Sequence, residues 1–316
     1  MEQISDYVAA FPGRNAFYLG LDPSFYNEYA LFRMIYDEAG NFFNEDLFEI
    51  SYKNPTIKSE FHTVCLIIHC YGIYQLLIRE LQPPGAAIGF SQGEFTAIAC
   101  AEGLQFLQVL ELVHQLELLI LENKEIRDGS MMLVYDFDRA KLLECIHEIN
   151  ADEDGVSLAI YLSNNQNVVS GTKAKVSEVA QLAKKRGARW AINLETQGAF
   201  HSPICNLISI KSDKVFDRYF FSGAAYPVYS CIDGEGTQNG PLIKRKISKQ
   251  IRKPVLWDLL INNLNQNGFN QILELGPGST ISGYTRINND TMACRWINNV
   301  KELHDTIGMY EKKARG

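Results

Sequence analysis

A serine lies between two glycines in the segment Gly89-Phe90-Ser91-Gln92-Gly93. A short apolar segment, 86–89, precedes it and a helical pattern, 94–100, follows it, which is the context of a nucleophile on a tight strand-to-helix turn. Glycines are needed there because side chains beside such a turn would clash. Ser91 is therefore a candidate nucleophile, and the backbone N–H of Gln92, at the start of the helix, can stabilise an oxyanion. An ordinary glycine-rich turn is the alternative.

A serine nucleophile needs a general base, and the sequence contains six histidines. His147 and His304 fall in amphipathic stretches that we expect to be solvated. His69 and His114 fall within predicted helices, where a packed or surface imidazole is expected. His201 instead follows the last strand of a predicted subdomain, in a loop at a domain junction where catalytic groups tend to converge. His201 is therefore the candidate base.

Short apolar runs alternate with amphipathic stretches, which is typical of an α/β fold. In the first part of the chain we predict a helix, a strand and two further helices, at 62–80, 86–89, 94–100 and 105–122. The next segments follow the strand–helix–strand–strand–helix–strand order of a ferredoxin-like unit, at 131–135, 138–150, 156–162, 168–170, 173–186 and 189–194. We therefore predict a small ferredoxin-like subdomain, residues 129–195, inserted into a large α/β domain of residues 1–128 and 196–316.

Seven segments together resemble the malonyl-CoA:acyl-carrier-protein transacylase family, which includes the acyltransferases of fatty-acid and polyketide synthases. They occur in the family's order and at similar spacing: Phe11-Pro12-Gly13, Gly89-Phe90-Ser91-Gln92-Gly93-Glu94, Val168-Val169-Ser170-Gly171, Gly198-Ala199-Phe200-His201-Ser202-Pro203, Pro227-Val228-Tyr229-Ser230, Pro254-Val255-Leu256-Trp257 and Glu274-Leu275-Gly276-Pro277-Gly278. The resemblance implies an α/β-hydrolase-like large domain with an inserted ferredoxin-like small subdomain. It also implies a dyad in which Ser91 takes an acyl group from a thioester and His201 is the general base.

The resemblance implies further roles at this site. Asn267 would orient His201, and Arg14, where the family usually has glutamine, would give the second oxyanion N–H from its backbone. The acyl pocket would include Phe90, Leu116, Phe200, His62 and Leu162.

One departure from the family concerns the acyl group. Malonyl-type enzymes hold the malonyl carboxylate with an arginine on the helix after the elbow, a contact suited to the guanidinium fork. Leu116 stands at that position, and residues 81–123 contain no lysine or arginine. An apolar lining fits an acyl group without a free carboxylate, so we expect the substrate to be other than malonyl. A cation that reaches the pocket from elsewhere is the alternative.

A basic segment, 244–253, contains six cations and no acid. Ile247 and Ile251 are four residues apart, which predicts that they are buried while the cations face solvent. The segment is either a solvated helix face or a docking patch for an acidic acyl carrier protein. The candidate docking residues are Lys244, Arg245, Lys246, Lys249 and Arg252.

These features predict an acyltransferase that moves an acyl group from a CoA or carrier-protein thioester to an acyl carrier protein, through an acyl-Ser91 intermediate. No ketosynthase or carrier segment is fused to the chain, so we expect it to act in trans, in polyketide biosynthesis. The alternative is an acyl hydrolase that removes acyl groups from carrier proteins, with water attacking the same intermediate. The Ser91–His201 pair argues against a third possibility, a non-catalytic docking module.

Composition sets the remaining expectations. Of 316 residues, 46% are hydrophobic, the formal charge is −7, and the chain has neither a secretion signal nor an apolar run long enough to cross a bilayer. We therefore expect neither a nucleic-acid nor a membrane partner. Seven cysteines without a Cys-x-x-Cys pair predict buried thiols in the cytoplasm and no metal site. We expect a monomer with no bound cofactor, its substrate being carried on CoA or phosphopantetheine.

Overall fold

The structure, a computed structural model, describes residues 7–151, 155–194 and 198–315. Its strands are β1 (Tyr7–Phe11), β2 (Ala86–Gly89), β3 (Ser130–Tyr135), β4 (Val156–Tyr161), β5 (Gln166–Gly171), β6 (Trp190–Leu194), β7 (Val228–Tyr229), β8 (Gly236–Thr237), β9 (Val255–Leu256), β10 (Gln271–Leu275) and β11 (Ala293–Ile297). Its helices are α1 (Ser24–Glu28), α2 (Ala30–Phe43), α3 (His62–Leu77), α4 (Gly93–Cys100), α5 (Phe106–Glu122), α6 (Lys124–Arg127), α7 (Arg139–Ile149), α8 (Lys173–Lys185), α9 (Ser209–Phe216), α10 (Gly240–Ile247), α11 (Trp257–Gln266), α12 (Thr280–Asn288) and α13 (Val300–Arg315).

The larger sheet carries the predicted nucleophile. Its strand order is β11-β10-β1-β2-β7-β8, parallel throughout except for the pairing of β7 with β8. Every residue of β1 and β2 is buried, as expected for central parallel strands covered on both faces. The carboxyl ends of these strands meet at one edge, which is where open α/β sheets bind ligands. Ser91 lies just beyond the end of β2 at this edge.

The smaller sheet has the order β6-β3-β5-β4, with antiparallel pairing between these strands. Helices α7 and α8 pack on it around a core of their own, which includes Val134, Leu142, Val169 and Val176. Strand β9, which lies outside the segment 129–195, pairs in parallel with β4 and extends this sheet by one strand. Part of the cavity wall described below comes from this sheet.

The predicted α/β fold is confirmed, and the predicted elements of both parts are present with shifts of a few residues. The helix predicted over 62–80 ends at Leu77. Fourteen of its sixteen residues are buried, because a helix that is apolar on all sides lies inside the core. The predicted boundary between residues 195 and 196 lies outside the described residues. All seven cysteines are buried free thiols, as predicted. Among the described residues, no helix combines the length and apolar character that crossing a bilayer requires.

Candidate active site

Ser91 lies on a turn that only glycine neighbours allow. Its φ of 52° is in the left-handed region, which is a strained conformation for a residue with a side chain. A Cβ on Gly89 would come within 1.9 Å of the Glu94 nitrogen, and one on Gly93 within 2.1 Å of the Phe11 carbonyl oxygen. Any other residue at these two positions would force the backbone apart. The local geometry is therefore that of a nucleophile elbow between β2 and α4.

Ser91 and His201 are in hydrogen-bond contact, since Ser91 Oγ lies 2.7 Å from His201 Nε2. The other ring nitrogen, Nδ1, lies 3.1 Å from the carbonyl oxygen of Gln250 and 3.0 Å from that of Lys253. Carbonyl oxygens only accept hydrogen bonds, so Nδ1 carries the proton. Nε2 is then the acceptor, and the Ser91 hydroxyl donates to it. This is the tautomer that a general base for Ser91 requires.

Two backbone carbonyls orient His201, and the assignment of this role to Asn267 is wrong. Asn267 is exposed at the end of α11, where its amide donates to the carbonyl oxygen of Asn263 at 2.8 Å. Gln250 also holds the elbow through its side chain, which donates to the Ser91 carbonyl oxygen at 2.7 Å and to buried Glu94 at 3.0 Å. A backbone carbonyl can come from any residue type, so this role leaves no mark in the sequence.

The environment of His201 favours the neutral imidazole. Burial lowers the pKa of His201 from 6.5, and the hydrogen bonds to the carbonyls of Lys253 and Gln250 oppose this only in part. A lower pKa keeps Nε2 free to accept a proton over a wider range of pH. The side chain can therefore act as a base in mildly acidic solution.

The rate at which Ser91 is acylated should fall on the acid side with a midpoint below pH 6.5, because only the neutral form of His201 accepts the Ser91 proton. The measurement is the pH dependence of kcat/KM for acylation of the free enzyme. His147→Ala is the control, since His147 is exposed on α7 and should leave the midpoint unchanged. A midpoint at 6.5 or above would contradict the effect of burial.

The two predicted oxyanion residues lie on segments that pack backbone to backbone. Gln92 directly precedes α4, and Arg14 begins a short 3-10 helix, Arg14–Leu19. The N–H of Phe90 donates to the carbonyl oxygen of Phe11 at 3.0 Å. A Cβ on Gly13 would come within 2.6 Å of the Phe90 carbonyl oxygen, so these segments touch without intervening side chains. Both Gln92 and Arg14 line the same cavity as Ser91.

This cavity, with a volume of about 280 Å³, lies between the two parts of the chain. Three of the predicted pocket residues, Phe90, Leu116 and Phe200, line it. Much of the remaining wall is apolar and comes from the smaller sheet and from helices α5, α9 and α12: Ile120, Met131, Ile160, Val168, Phe216 and Ile281. From this part of the chain only Leu162 was predicted to line the pocket, and Met131, Ile160 and Val168 line it instead, because sequence periodicity marks which residues are buried but not which cavity they face.

The structure does not bring the other two predicted pocket residues to the cavity. His62 is stacked on Phe17 with ring centroids 4.4 Å apart, and its Nε2 lies 3.0 Å from the carbonyl oxygen of Ile57. Leu162 is buried one residue beyond β4, among residues of the core. Neither is among the described residues that line the cavity, so both assignments to the acyl pocket are wrong. Both depended on alignment in segments that lack a motif.

The side chain of Arg14, a residue predicted for the oxyanion hole through its backbone, brings a cation into the cavity, which is the alternative that the sequence left open. Among the described lining residues, Arg14 is the only lysine or arginine. Its guanidinium lies 5.5 Å from the centre of the Phe200 ring, and its Nη2 lies 3.1 Å from Glu117 Oε2. Glu117 is fully buried on α5, so it neutralises the guanidinium. The sequence contains one sign of this ion pair. Glu117 lies on the apolar face of a leucine-rich helix, and a buried carboxylate needs a partner.

The basic segment is less free than predicted. Helix α10 ends at Ile247, and Ile247 and Lys246 are both buried. Lys246 contacts Asp233 at 3.0 Å, Arg252 contacts Asp213 at 2.8 Å, and Lys244 donates to the Tyr219 carbonyl oxygen at 3.1 Å. The prediction that all cations face solvent is therefore wrong, because groups of other segments bind three of the cations and Lys246 is buried. Of the candidate docking residues, Arg245 and Lys249 are the exposed ones.

Within the described ranges, no group of three or more His, Cys, Asp or Glu side chains could hold a metal ion.

No protein-family model matches the chain. It is 26% identical over 312 residues to a malonyl CoA-acyl carrier protein transacylase of Staphylococcus aureus, covering 98% of this chain and 99% of that protein. A Bacillus subtilis protein of the same name is 26% identical over 287 residues, covering 90% of each chain. The chain is thus similar to malonyl CoA-acyl carrier protein transacylases over nearly its full length. The resemblance found in the sequence motifs is therefore confirmed over nearly the whole chain.

Solved structures of transacylases share the fold. A type II polyketide synthase acyl carrier protein in complex with its malonyl-transacylase includes a chain with a TM-score of 0.91 and 22% identity, covering 96% of this chain and 100% of that one. An acyl carrier protein S-malonyltransferase from Vibrio cholerae has a TM-score of 0.90 and 22% identity, covering 96% of this chain and 100% of that one. The α/β fold with two sheets is thus the fold of these transacylases.

Proposed function

We propose that this protein is an acyltransferase that carries an acyl group on Ser91 from a CoA or carrier-protein thioester to an acyl carrier protein. The observation that carries the proposal is the 2.7 Å contact between Ser91 Oγ and His201 Nε2 beside a largely apolar cavity. The names of the transacylase relatives support transfer to a carrier protein. We also propose the finer fold names, an α/β-hydrolase-like large domain with an inserted ferredoxin-like small subdomain, and the order β6-β3-β5-β4 supports the second of them.

The reaction proceeds in two balanced half-reactions. Ser91 Oγ attacks the thioester carbonyl carbon while its proton moves to His201 Nε2, and the oxyanion is held by the backbone N–H groups of Gln92 and Arg14. The C–S bond then breaks, and the proton on Nε2 passes to the leaving sulfur. In the second half, the phosphopantetheine thiol of the carrier gives its proton to His201 and attacks acyl-Ser91. Breaking the C–O bond returns the proton to Ser91.

The test is to mix the enzyme with acyl thioesters and follow Ser91 by mass spectrometry, with and without holo acyl carrier protein. Transfer predicts an acyl-Ser91 species that persists without carrier and disappears as acyl carrier accumulates. If instead acyl-Ser91 decays to free acid at the same rate with or without carrier, water is the acceptor and the protein is a hydrolase. If Ser91 is not acylated by any thioester, the proposed function is wrong.

We propose that the acyl group lacks a free carboxylate, although the relatives are named for malonyl. Leu116, an apolar residue, lines the cavity at the position where malonyl-type enzymes have an arginine. Arg14 is the one cation among the described lining residues, and its charge is neutralised by Glu117. A carboxylate entering such a cavity loses its hydration and meets, among the described lining residues, only a cation whose charge is already paired. The substrate would be carried on CoA or phosphopantetheine, with no resident cofactor.

We also propose that carrier docking uses the exposed cations of the segment 244–253, which borders the cavity through Ile247, Ser248, Gln250 and Ile251. A carrier protein with acidic helices would be steered there by charge. The context that we propose is trans-acting transfer in polyketide biosynthesis, by a monomer in the cytoplasm. The seven buried free thiols support a reducing compartment.

Replacing Arg245 and Lys249 with glutamate should slow association with the carrier by about tenfold at low salt and reduce the dependence of this rate on ionic strength. Both side chains are exposed, so the folded structure should be unaffected. The matched control is Arg295→Glu with Lys301→Glu, an equal change of charge at exposed positions on β11 and α13. If the two double variants associate with the carrier at equal rates across a salt series, the segment 244–253 is a solvated surface and does not bind the carrier.

A further inference from the structure

Glu117 connects the side chains of both predicted oxyanion residues. Its Oε1 accepts a hydrogen bond from Gln92 Nε2 at 2.7 Å. Its Oε2 lies 3.1 Å from Arg14 Nη2, an ion-pair contact without the alignment of a hydrogen bond. Thr63 donates to Oε1 at 2.8 Å, and from α3 it fixes the carboxylate itself. One buried carboxylate thus holds two residues that come from different loops.

Glu117 adds a second attachment between those loops. Their backbones already meet at the ends of the paired strands β1 and β2, where the Phe90 N–H donates to the Phe11 carbonyl oxygen at 3.0 Å. This first attachment fixes the two segments up to Phe11 and Phe90, and a second attachment beyond it restricts the orientation of Arg14 and Gln92 relative to each other. The side chains of Arg14 and Gln92 provide that second attachment through Glu117. The direction of the two backbone N–H groups is thereby coupled to this carboxylate.

We infer that Glu117 is a positioning residue for the oxyanion hole, and this inference rests on the proposed acyl transfer through Ser91. Donors to an oxyanion are effective when they are fixed before the charge develops, because then no reorganisation is needed during the reaction. A fully buried carboxylate is costly unless its partners satisfy it, and Glu117 has three partners around it. Its cost is offset by contacts that also set the geometry of the site.

The test compares wild-type protein with Glu117→Leu, Glu117→Gln and Gln92→Leu, using a neutral acyl thioester. Glu117→Leu should lower the rate of Ser91 acylation by about 10- to 100-fold with little change in KM, since a small misplacement affects the transition state more than substrate binding. Glu117→Gln keeps an oxygen for Gln92 and Thr63 but loses the charge facing Arg14. The decrease in the rate of Ser91 acylation should therefore be smaller for Glu117→Gln than for Glu117→Leu.

A second readout distinguishes positioning from general destabilisation. The probe is a thioether trifluoromethyl ketone, whose carbonyl carbon is attacked by Ser91 Oγ while the Ser91 proton moves to His201. The alkoxide that results occupies the oxyanion hole. Its affinity should fall in step with the acylation rate across the variants, while the pH midpoint set by His201 stays unchanged. Leu110→Ala is the control, since Leu110 is fully buried on α5 but does not line the cavity. It should lower the melting temperature without this parallel loss.

A double-mutant cycle completes the test. Gln92→Leu should cost less in Glu117→Leu than in the wild type, because the tether is already absent. If Glu117→Leu fails to fold, Arg14→Leu is compared in Glu117→Gln and in the wild type, since Glu117→Gln removes the charge that faces Arg14. If the effects of the two substitutions on the acylation rate simply multiply, the inference is wrong. It is also wrong if all variants bind the ketone with wild-type affinity. If wild-type Ser91 is not acylated at all, the proposed function fails instead, so the two failures are distinguishable.

Discussion

Ser91→Ala should abolish formation of the acyl-enzyme, and His201→Ala should slow it by about 10³-fold or more. The two side chains lie 2.7 Å apart, and His201 is in the tautomer that accepts the serine proton. Without the hydroxyl there is no atom to carry the acyl group. Without the imidazole, a serine hydroxyl at its ordinary pKa is a weak nucleophile. The measurement is single-turnover acylation, followed by mass spectrometry of the intact protein.

The two losses should not multiply, because the residues act as one unit. The double variant Ser91→Ala/His201→Ala should be no slower than Ser91→Ala alone. Ser177→Ala on the exposed face of α8 is the matched control and should react at the wild-type rate. A Ser91→Ala protein that still becomes acylated at a normal rate would place the nucleophile elsewhere and overturn the proposed function.

The parts of the site that sequence could predict are those whose chemistry requires particular residue types. The elbow could be predicted because Gly89 and Gly93 each lie where a Cβ would meet backbone atoms. Segment periodicity likewise predicted the strands and helices of the small subdomain, since its alternating burial is local. His201 could be placed because it follows that subdomain directly. Each of these features requires particular residue types within a short stretch of the sequence, and such local requirements can be predicted.

The parts that sequence could not predict depend on contacts between distant segments. The His201 ring is oriented by the carbonyls of Gln250 and Lys253, and any residue type offers such a carbonyl. The pairing of Arg14 with Glu117 joins residues about one hundred positions apart, so only tertiary structure brings them together. Lys246 was expected to face solvent but is buried, because its amino group contacts Asp233 and the Glu235 carbonyl oxygen of another segment. Local patterns do not specify such partners.

The enzyme should acylate Ser91 with malonyl thioesters about 30- to 1000-fold less efficiently than an enzyme with a free arginine in its pocket, since a charge-assisted bidentate contact contributes roughly 2–4 kcal/mol. The physical reason is desolvation of the malonyl carboxylate in an apolar cavity. Leu116 lines that cavity, and Phe90 adds an aromatic ring packed against Trp257 and Tyr284. The only cation in the described wall, Arg14, is already paired with Glu117.

Leu116→Arg should therefore raise malonyl acylation relative to acetyl and longer neutral acyl groups, because it adds a guanidinium that Glu117 does not neutralise. The control is Leu116→Met, which keeps the volume and the apolar character and should leave the ratio of rates unchanged. Acylation of Ser91 is measured for each thioester at equal concentration, with the melting temperature confirming that each variant is folded. If malonyl reacts fastest with the wild type, Arg14 receives the carboxylate despite Glu117, and the argument from Leu116 is wrong. If Leu116→Arg leaves the ratio at its wild-type value, position 116 does not contact the distal end of the acyl group.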